Sequence, residues 1–487
     1  MTAGAEYLRR FRSALLAEAI NVGAAVVLTV GLARLMDPDS YGVLFLALSV
    51  LGVAQLLSAF GVSKSAGRYI AEYRETDPAQ LPHILRSAFT FNAATILAVS
   101  IVLLVVRDDL ARAIGEPALE PLLLVGIAFV VGQTLVTFCK QTIQGFEDIG
   151  VSSRLVAANK VGRLVGALGL VALGYEALGA LVGYVASSLA VSAVGLAYLY
   201  IRKIRTAPDE PIESGLRRRL ARYSAPIAVN QTAHSLDNYI DTIVVGAMLG
   251  PAAVSYYTIG FQLARFLGAP MTALGFTLSP AFGSQKAAGR PDRAARLYET
   301  ALTKGLLVYV PAAAGVVLLA EPGVEYVFGA DYRGAVPVLQ VMAAFVVIRT
   351  VQTLSSDGLD YLGRARTRAV IKLTTAVANV CLTVVLVSEM GVVGAAIATV
   401  ATSSCYAGVT CYLMHRELAL RLRWLGRRIG EILAITALMS VVVWAIAPFV
   451  TGIVTLAAVV AAGVAVWGLA GLYAGTLDVA LVRRTLS

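Results

Sequence analysis

In a chain this apolar, the side chains able to do chemistry are the few ionisable and amide groups set inside long apolar runs. Asn230, His234, Asp237 and Asp241 follow one another at steps of four, three and four, which places them along one face of a helix. Lys160 and Arg163 are three apart, as are Gln262 and Arg265, Glu18 and Asn21, and Arg349 and Gln352; Lys372 and Asn379 share another run. An ionisable group at mid-bilayer costs roughly 2.5–3.5 kcal/mol even on a lenient insertion scale, so it belongs against protein or water. The chemistry expected of the cations is capture of phosphate or pyrophosphate, for which Arg offers a planar fork of donors. The candidate substrate-binding residues are therefore Arg163, Arg265, Asn230, Lys160 and Arg349. Glu18, His234, Asp237 and Asp241 are candidates for ion coupling or gating, with a proton or sodium ion as the coupled species. The same charges can instead pair with one another, Asp237 with Arg265 for instance, and lock helices together. Lys160, Arg349 and Lys372 lie toward one end of their runs, where a long side chain can reach the interface.

The elements that must position these groups are transmembrane helices. Of 487 residues, 58% are hydrophobic and 14% charged, against about 25% charged in an average soluble chain. The apolar residues come in blocks of about 20, the length that crosses a hydrocarbon core of about 30 Å. About fourteen spans are expected, at 13–36, 41–61, 85–106, 119–139, 153–173, 177–200, 223–248, 252–280, 298–320, 335–356, 367–388, 391–414, 429–449 and 452–475. Short connections at Asp37–Ser40, Gly174–Glu176 and Gly250–Pro251 make helical hairpins of several neighbours. The run after the basic segment Met1–Arg12 is too long for a signal-peptide core and is read as the first span.

The formal net charge of +10 resides in alternate connections. One side carries Arg9, Arg10 and Arg12, then Lys64, Arg68 and Arg74, the Arg202–Arg222 stretch, Arg290–Arg296, Arg364–Arg368 and Arg416–Arg428. The other side carries Asp37, Asp39, Asp108, Asp109, Glu116, Glu176, Glu321, Glu325, Asp331 and Glu389. The positive-inside rule makes the basic side cytoplasmic, with both termini inside. Topology and contact with anionic headgroups account for this charge. Nucleic-acid binding would need a soluble domain, and no connection exceeds about 25 residues. The four cysteines have no metal or redox spacing, no cofactor is expected, and the expected localisation is the cell membrane of a prokaryote.

The chain also repeats itself. RSAFT at 86–90 matches ETALT at 299–303; Gly145 and Gly150 match Gly358 and Gly363; Pro38 matches Pro251. GALVGYVASS at 179–188 matches GAAIATVATS at 394–403, and Ala128-Phe129-Val130-Val131 recurs as Ala344-Phe345-Val346-Val347. The offsets all fall between 213 and 216. Two six-helix halves of like orientation are expected, a transporter architecture with substrate bound between the halves. The expected division is 1–205, a basic linker at 206–222, 223–416, and a terminal helix pair within 417–487.

Three stretches then carry a family resemblance: LARLMDPDSYGVLFLALSV at 32–50, QGFEDIGVSSRLVAANK at 144–160, and DNYIDTIVVGAMLGPAAVSYYTIG at 237–260. RYSAPIAVNQ at 222–231 adds to them. With the 6 + 6 + 2 pattern, they make the chain similar to polysaccharide (O-antigen type) flippases of the MOP superfamily, which includes MATE exporters and lipid II flippases. The resemblance implies an all-α membrane fold of two V-shaped bundles plus a C-terminal helix pair. It implies a cavity lined by the first and seventh spans, bringing Glu18 and Asn21 toward Asn230, His234, Asp237 and Asp241. It implies flipping of polyprenyl-phosphate- or pyrophosphate-linked oligosaccharide from the cytoplasmic to the outer leaflet. The first span lacks the basic residue that lipid II flippases place there. A MATE-like cation-coupled antiporter is the alternative, suggested by Glu18, Asp237 and Asp241. A polyprenyl-using membrane enzyme would need a large outer loop, and ATP hydrolysis a Walker A sequence; this chain has neither.

Overall fold

The computed structural model describes residues 22–205 and 211–476; the side chains of 229–238, 272–274, 276–277 and 279–280 lie outside that description. Apolar runs become helices because in hydrocarbon every backbone N–H and C=O must find its partner within the segment. The first unit holds α1 (Val22–Leu35), α2 (Pro38–Ala59), α3 (Val62–Thr76), α4 (Leu81–Ile114), α5 (Leu119–Gly145), α6 (Ile149–Leu170), α7 (Glu176–Leu199) and α8 (Leu216–Leu249). Then follow α9 (Pro251–Ala287), α10 (Pro291–Leu318), α11 (Ala320–Val327), α12 (Ala335–Tyr361), α13 (Ala365–Met390), α14 (Val392–Leu418), α15 (Leu422–Ile446) and α16 (Ile453–Tyr473). Among the described residues there is no strand, and ten stretches are long and apolar enough to cross a membrane. The chain is thus an all-helical, multi-pass membrane protein.

One of the ten stretches, Ile149–Ile204, is 56 residues long and holds two expected spans. It folds back at Gly174, whose φ of 89° is left-handed, followed by Glu176 at φ 44°. The returning helix lies flush on the outgoing one: a Cβ on Gly183 would sit 2.4 Å from Ala167 N. Glycine there permits a backbone approach that any other residue blocks.

The first hairpin is fixed by Asp37. Its Oδ1 accepts from the backbone N–H groups of Asp39 and Ser40, each at 2.9 Å, ahead of Pro38 at the first helical position. This is the N-cap arrangement. Burial pushes the Asp37 carboxyl up, but these hydrogen bonds outweigh it and hold the group below the usual carboxylate range.

The connection between the expected spans 41–61 and 85–106 contains α3. Phe60 and Gly61 both take left-handed conformations, so the chain turns and restarts a helix. Val62, Ala66, Ile70 and Tyr73 then line one buried face, while Lys64, Arg68, Glu72 and Glu75 point out. A mean apolarity too low for a span hid an amphipathic helix of period 3.6.

The contacts divide the chain into two units, Met1–Ser255 and Tyr256–Ser487. They group α8 with the helices before it, although the sequence repeat starts its second half there. The reason is local. The Tyr239 ring fills the space above Gly52 of α2, where an added Cβ would come within 2.5 Å. Leu46 of α2 likewise occupies the space beside Gly246. In the second unit the terminal pair is tied by charge. Glu299 of α10 is fully buried and accepts from Arg421 N at 2.7 Å and Arg421 Nε at 2.9 Å, just before α15 begins. Trp467 of α16 donates to the Leu307 carbonyl at 2.9 Å.

Helices α5 and α12 begin and end 216 residues apart (119 to 335, 145 to 361). Helices α6 and α13 start at the same spacing, as do α7 and α14.

Candidate functional site

In the first unit the described polar side chains gather around Arg163, where α5, α6 and α7 meet. Arg163 on α6 donates through Nη2 to Gln133 Oε1 of α5. Its guanidinium carbon lies 5.5 Å from the Phe129 ring centre and 5.2 Å from that of Tyr184. The two rings meet edge-on at 6.3 Å. Asn159 Nδ2 approaches the same Gln133 oxygen at 3.4 Å, and Ser187 of α7 donates to the Asn159 carbonyl at 2.8 Å. Arg163 Nε is shut off from solvent and has no hydrogen-bond partner. Among the described residues no carboxylate pairs with Arg163. The half-buried cation is therefore held by an amide oxygen and two aromatic faces, which stabilise a cation without neutralising it.

The second unit assembles a related group on α9 and α12. Arg349 lies 5.9 Å from the Phe345 ring centre, and Arg265 lies 5.7 Å from that of Phe261. These two rings are 6.1 Å apart, with Tyr257 stacked on Phe261 at 5.8 Å. The two guanidiniums repel one another through space. Arg349 Nε, like Arg163 Nε, is buried without a hydrogen-bond partner, and no described carboxylate pairs with Arg349. Taking a charge out of water costs several kcal/mol unless a counter-charge and hydrogen bonds compensate. Arg265, on α9, is exposed, so this group presents one half-buried and one accessible guanidinium, each against an aromatic ring.

The other expected residues divide three ways. Lys160 is half-buried on α6, one turn before Arg163. Asp241 is 3% exposed on α8. Glu18 lies outside the described residues, and so do the side chains of Asn230, His234 and Asp237. Lys372 lies 5.5 Å from the Tyr406 ring centre. Asn379 is buried and accepts from Thr402 Oγ1 at 2.8 Å.

Attention to charge alone missed Gln133, Asn159, Phe129 and Tyr184. The amides were legible as polar residues in apolar runs. The aromatics had a sharper signal: Phe129 and Phe345 are the phenylalanines of the repeated AFVV segment, and each carries a cation.

The second unit also holds an apolar groove of about 430 Å³ among α9, α10, α11, α12, α15 and α16. Leu263, Leu267, Val308, Pro311, Val443 and Trp467 are among its walls.

Comparison with known proteins gives the family and the fold. Residues 8–286, more than half of the 487, match the family described as polysaccharide biosynthesis protein. The chain belongs to that family. Residues 226–385 also match the MatE family. Among relatives, a probable low-salt glycan biosynthesis flippase, Agl15 of Haloferax volcanii, is 22% identical over 367 residues, 75% of each chain. The lipopolysaccharide biosynthesis protein WzxC of Escherichia coli is 25% identical over 351 residues, 69% of this chain and 66% of that one. Among solved structures, the lipid II flippase MurJ in an inward closed conformation aligns with a TM-score of 0.77 at 12% identity, over 94% of this chain and 98% of that one. An inward-facing multidrug-resistance MATE transporter of the MOP superfamily aligns at 0.72 with 16% identity, over 81% of this chain and 94% of that one. This member of the polysaccharide biosynthesis protein family therefore has the fold shared by MATE transporters and MurJ.

Proposed function

We propose that this protein is a flippase moving polyprenyl-phosphate- or pyrophosphate-linked oligosaccharide from the cytoplasmic to the outer leaflet, by alternating access, for cell-surface polysaccharide or glycan synthesis. The observation that carries the reading is the pair of aromatic-backed guanidiniums, Arg163 and Arg349, set in apolar helices with no carboxylate partner among the described residues. A permanent anion pair inside hydrocarbon would be held by such donors and not by neutral packing. Family membership and the glycan-flippase names of the relatives point the same way.

The residues divide the work by chemistry. Arg349 and Arg265 bind the phosphate groups, while Arg163 and Lys160 offer a second anion site in the first unit. The apolar groove of the second unit accepts the polyprenyl chain, which has no polar group to satisfy. Asn230 binds substrate, and Glu18, His234, Asp237 and Asp241 serve coupling or gating with a proton or sodium ion. Fourteen spans in two six-helix repeats plus a terminal pair, with both termini cytoplasmic, complete the proposed topology.

The test is a reconstituted flipping assay with fluorescent polyprenyl-pyrophosphate-linked sugars in proteoliposomes. Wild type is expected to flip, and the Arg163→Ala/Arg349→Ala double variant to lose flipping while incorporating normally. Absence of flipping by wild type, together with drug efflux driven by a proton or sodium gradient, overturns the reading in favour of an antiporter.

A further inference from the structure

A second cavity, of about 630 Å³, lies in the first unit among the start of α3, the first turns of α4, the start of α8 and the segment before it. Its polar end is formed by Arg86, Arg217, His83, Ser87 and Thr90, its apolar end by Val62, Phe91, Ala94 and Leu220. Arg86 and Arg217 are exposed, and among the described residues neither makes a hydrogen bond or ion pair with an acidic side chain. Their neighbour Arg219, by contrast, is paired with Glu213 at 2.5 Å. Two guanidiniums with no acidic partner among the described residues, at the mouth of an amphipathic cavity, are complementary to a phosphate carrying an apolar tail.

The tail also has a path. Helix α4 has 34 residues and is thus about 51 Å long, well beyond the hydrocarbon core. The most apolar part of it is only 17% buried in the protein. Beyond Phe91 and Ala94 the same side continues through Leu97, Ile101 and Val105, exposed by 61%, 52% and 70%, at helical spacing. Arg86 therefore sits near one end of α4, with an exposed apolar strip leading away from it.

We propose that this cavity binds the headgroup of an anionic phospholipid from the adjacent leaflet. Its phosphate sits between Arg86 and Arg217, and one acyl chain leaves along Phe91, Ala94 and Leu97. Size favours a membrane phospholipid over the transported substrate. A cavity of this class holds a drug-sized group, enough for a phosphoglycerol head and its first methylenes but not for an oligosaccharide. The site is separate from Arg163 and does not depend on the flippase reading. Because its walls come from α3, α4 and α8, the bound lipid acts as a peg between three helices of one unit.

The experiment is native mass spectrometry of the full chain released from vesicles of mixed phosphatidylglycerol and phosphatidylcholine. Wild type is expected to retain one phosphatidylglycerol, and the Arg86→Gln/Arg217→Gln variant to retain it about thirtyfold less, the scale of two interfacial charges. Arg218→Gln, a neighbouring exposed change outside the cavity, is expected to retain it as wild type does, which separates a site from net charge. Equal retention by the double variant, or equal retention of phosphatidylcholine, overturns the proposal. Displacement of the bound lipid by polyprenyl phosphate at a lower mole fraction also overturns it, since the site would then belong to the carrier lipid. Near-native melting of the double variant before release confirms that loss of lipid is not loss of fold.

Discussion

Arg163 in the first unit and Arg349 in the second stand on opposite members of equivalent helix pairs. At the 216-residue spacing that relates α5 to α12 and α6 to α13, Arg349 corresponds to Gln133 and Arg163 to Asn379. At these positions each unit thus has one guanidinium and one amide, with the charge moved from one helix to its neighbour. Arg163 meets Gln133 in the first unit, whereas in the second Arg349 lies against Gly268 of α9 and Asn379 accepts from Thr402 of α14. Phe129 and Phe345 stay in register beneath both cations. The difference lies in how far each cation is already satisfied. Arg163 has the Gln133 oxygen and two rings, whereas Arg349 has one ring and faces the repulsion of Arg265. Helices at this spacing keep the phenylalanine position and differ in which member carries the charge. The less satisfied copy is the one that gains more from an incoming anion.

The largest expected effect follows from that inequality. Arg349→Ala should lower flipping about 100-fold, the upper range for losing hydrogen bonds to a charged group. Arg163→Ala should lower it about tenfold, because the amide and aromatic groups around it remain. Initial rates per incorporated protein in proteoliposomes decide the matter, and equal losses would break the comparison. A transplant sharpens it. Gln133→Arg combined with Arg163→Asn copies the second unit's arrangement into the first, and should recover most of the flipping lost in Arg163→Asn alone.

A second pair of equivalent positions diverges further. RSAFT and ETALT align, so Arg86 in the first unit answers to Glu299 in the second. Glu299 is fully buried and clamps Arg421 at the start of the terminal helix pair, while Arg86 remains exposed at the cavity of the first unit. Only the second unit carries an extension to be held, and its acid is spent on holding it. Glu299→Gln should therefore lower the melting temperature by a few degrees and expose α15 to limited proteolysis; Arg86→Gln should do neither.

Much of this was legible from the chain, and what was not has physical reasons. The hairpin at Gly174–Glu176 announced itself through a break in apolarity. The first hairpin did so through an Asp-Pro pair that can only cap and start a helix. The amphipathic helix α3 did not, because its charged face cancels its apolar one in any averaged reading. The cations were visible as misfits in apolar runs, but their surroundings were not. A guanidinium resting on Phe129 and Tyr184 draws on residues 34 positions before it and 21 after it, and no local pattern encodes that meeting. AFVV was visible as a repeat, yet nothing in the letters says that its phenylalanine lies under a charge. The stripe of Asn230, His234 and Asp237 still rests on helical spacing alone.

The smallest effect concerns a tie outside the binding groups, where the two units carry a similar contact with opposite polarity, its second partner shifted by two residues. In the turn before α6, Asp148 accepts from Lys203, beyond the end of α7, at 2.8 Å and from Tyr198 at 2.8 Å. In the turn before α13, Arg364 instead donates to Glu417, near the end of α14, at 2.7 Å. The hydrogen bond from Lys203 holds the Asp148 carboxyl below the usual carboxylate range, against burial that pushes it up and with help from Tyr198. A carboxyl depressed in the folded state contributes stability that is fully present above its unfolded value, about 3.9. That contribution is lost as pH falls through the lower folded value. Asp148→Asn should accordingly melt slightly below wild type at neutral pH and converge with it as the solution is acidified below about pH 4. Exchanging the pair, Asp148→Lys with Lys203→Glu, gives the first unit the polarity of the second and should recover the neutral-pH melting temperature that Asp148→Lys alone loses. If the exchanged pair melts no higher than the single variant, the polarity of this tie is fixed by its surroundings and was never free to reverse between the two units.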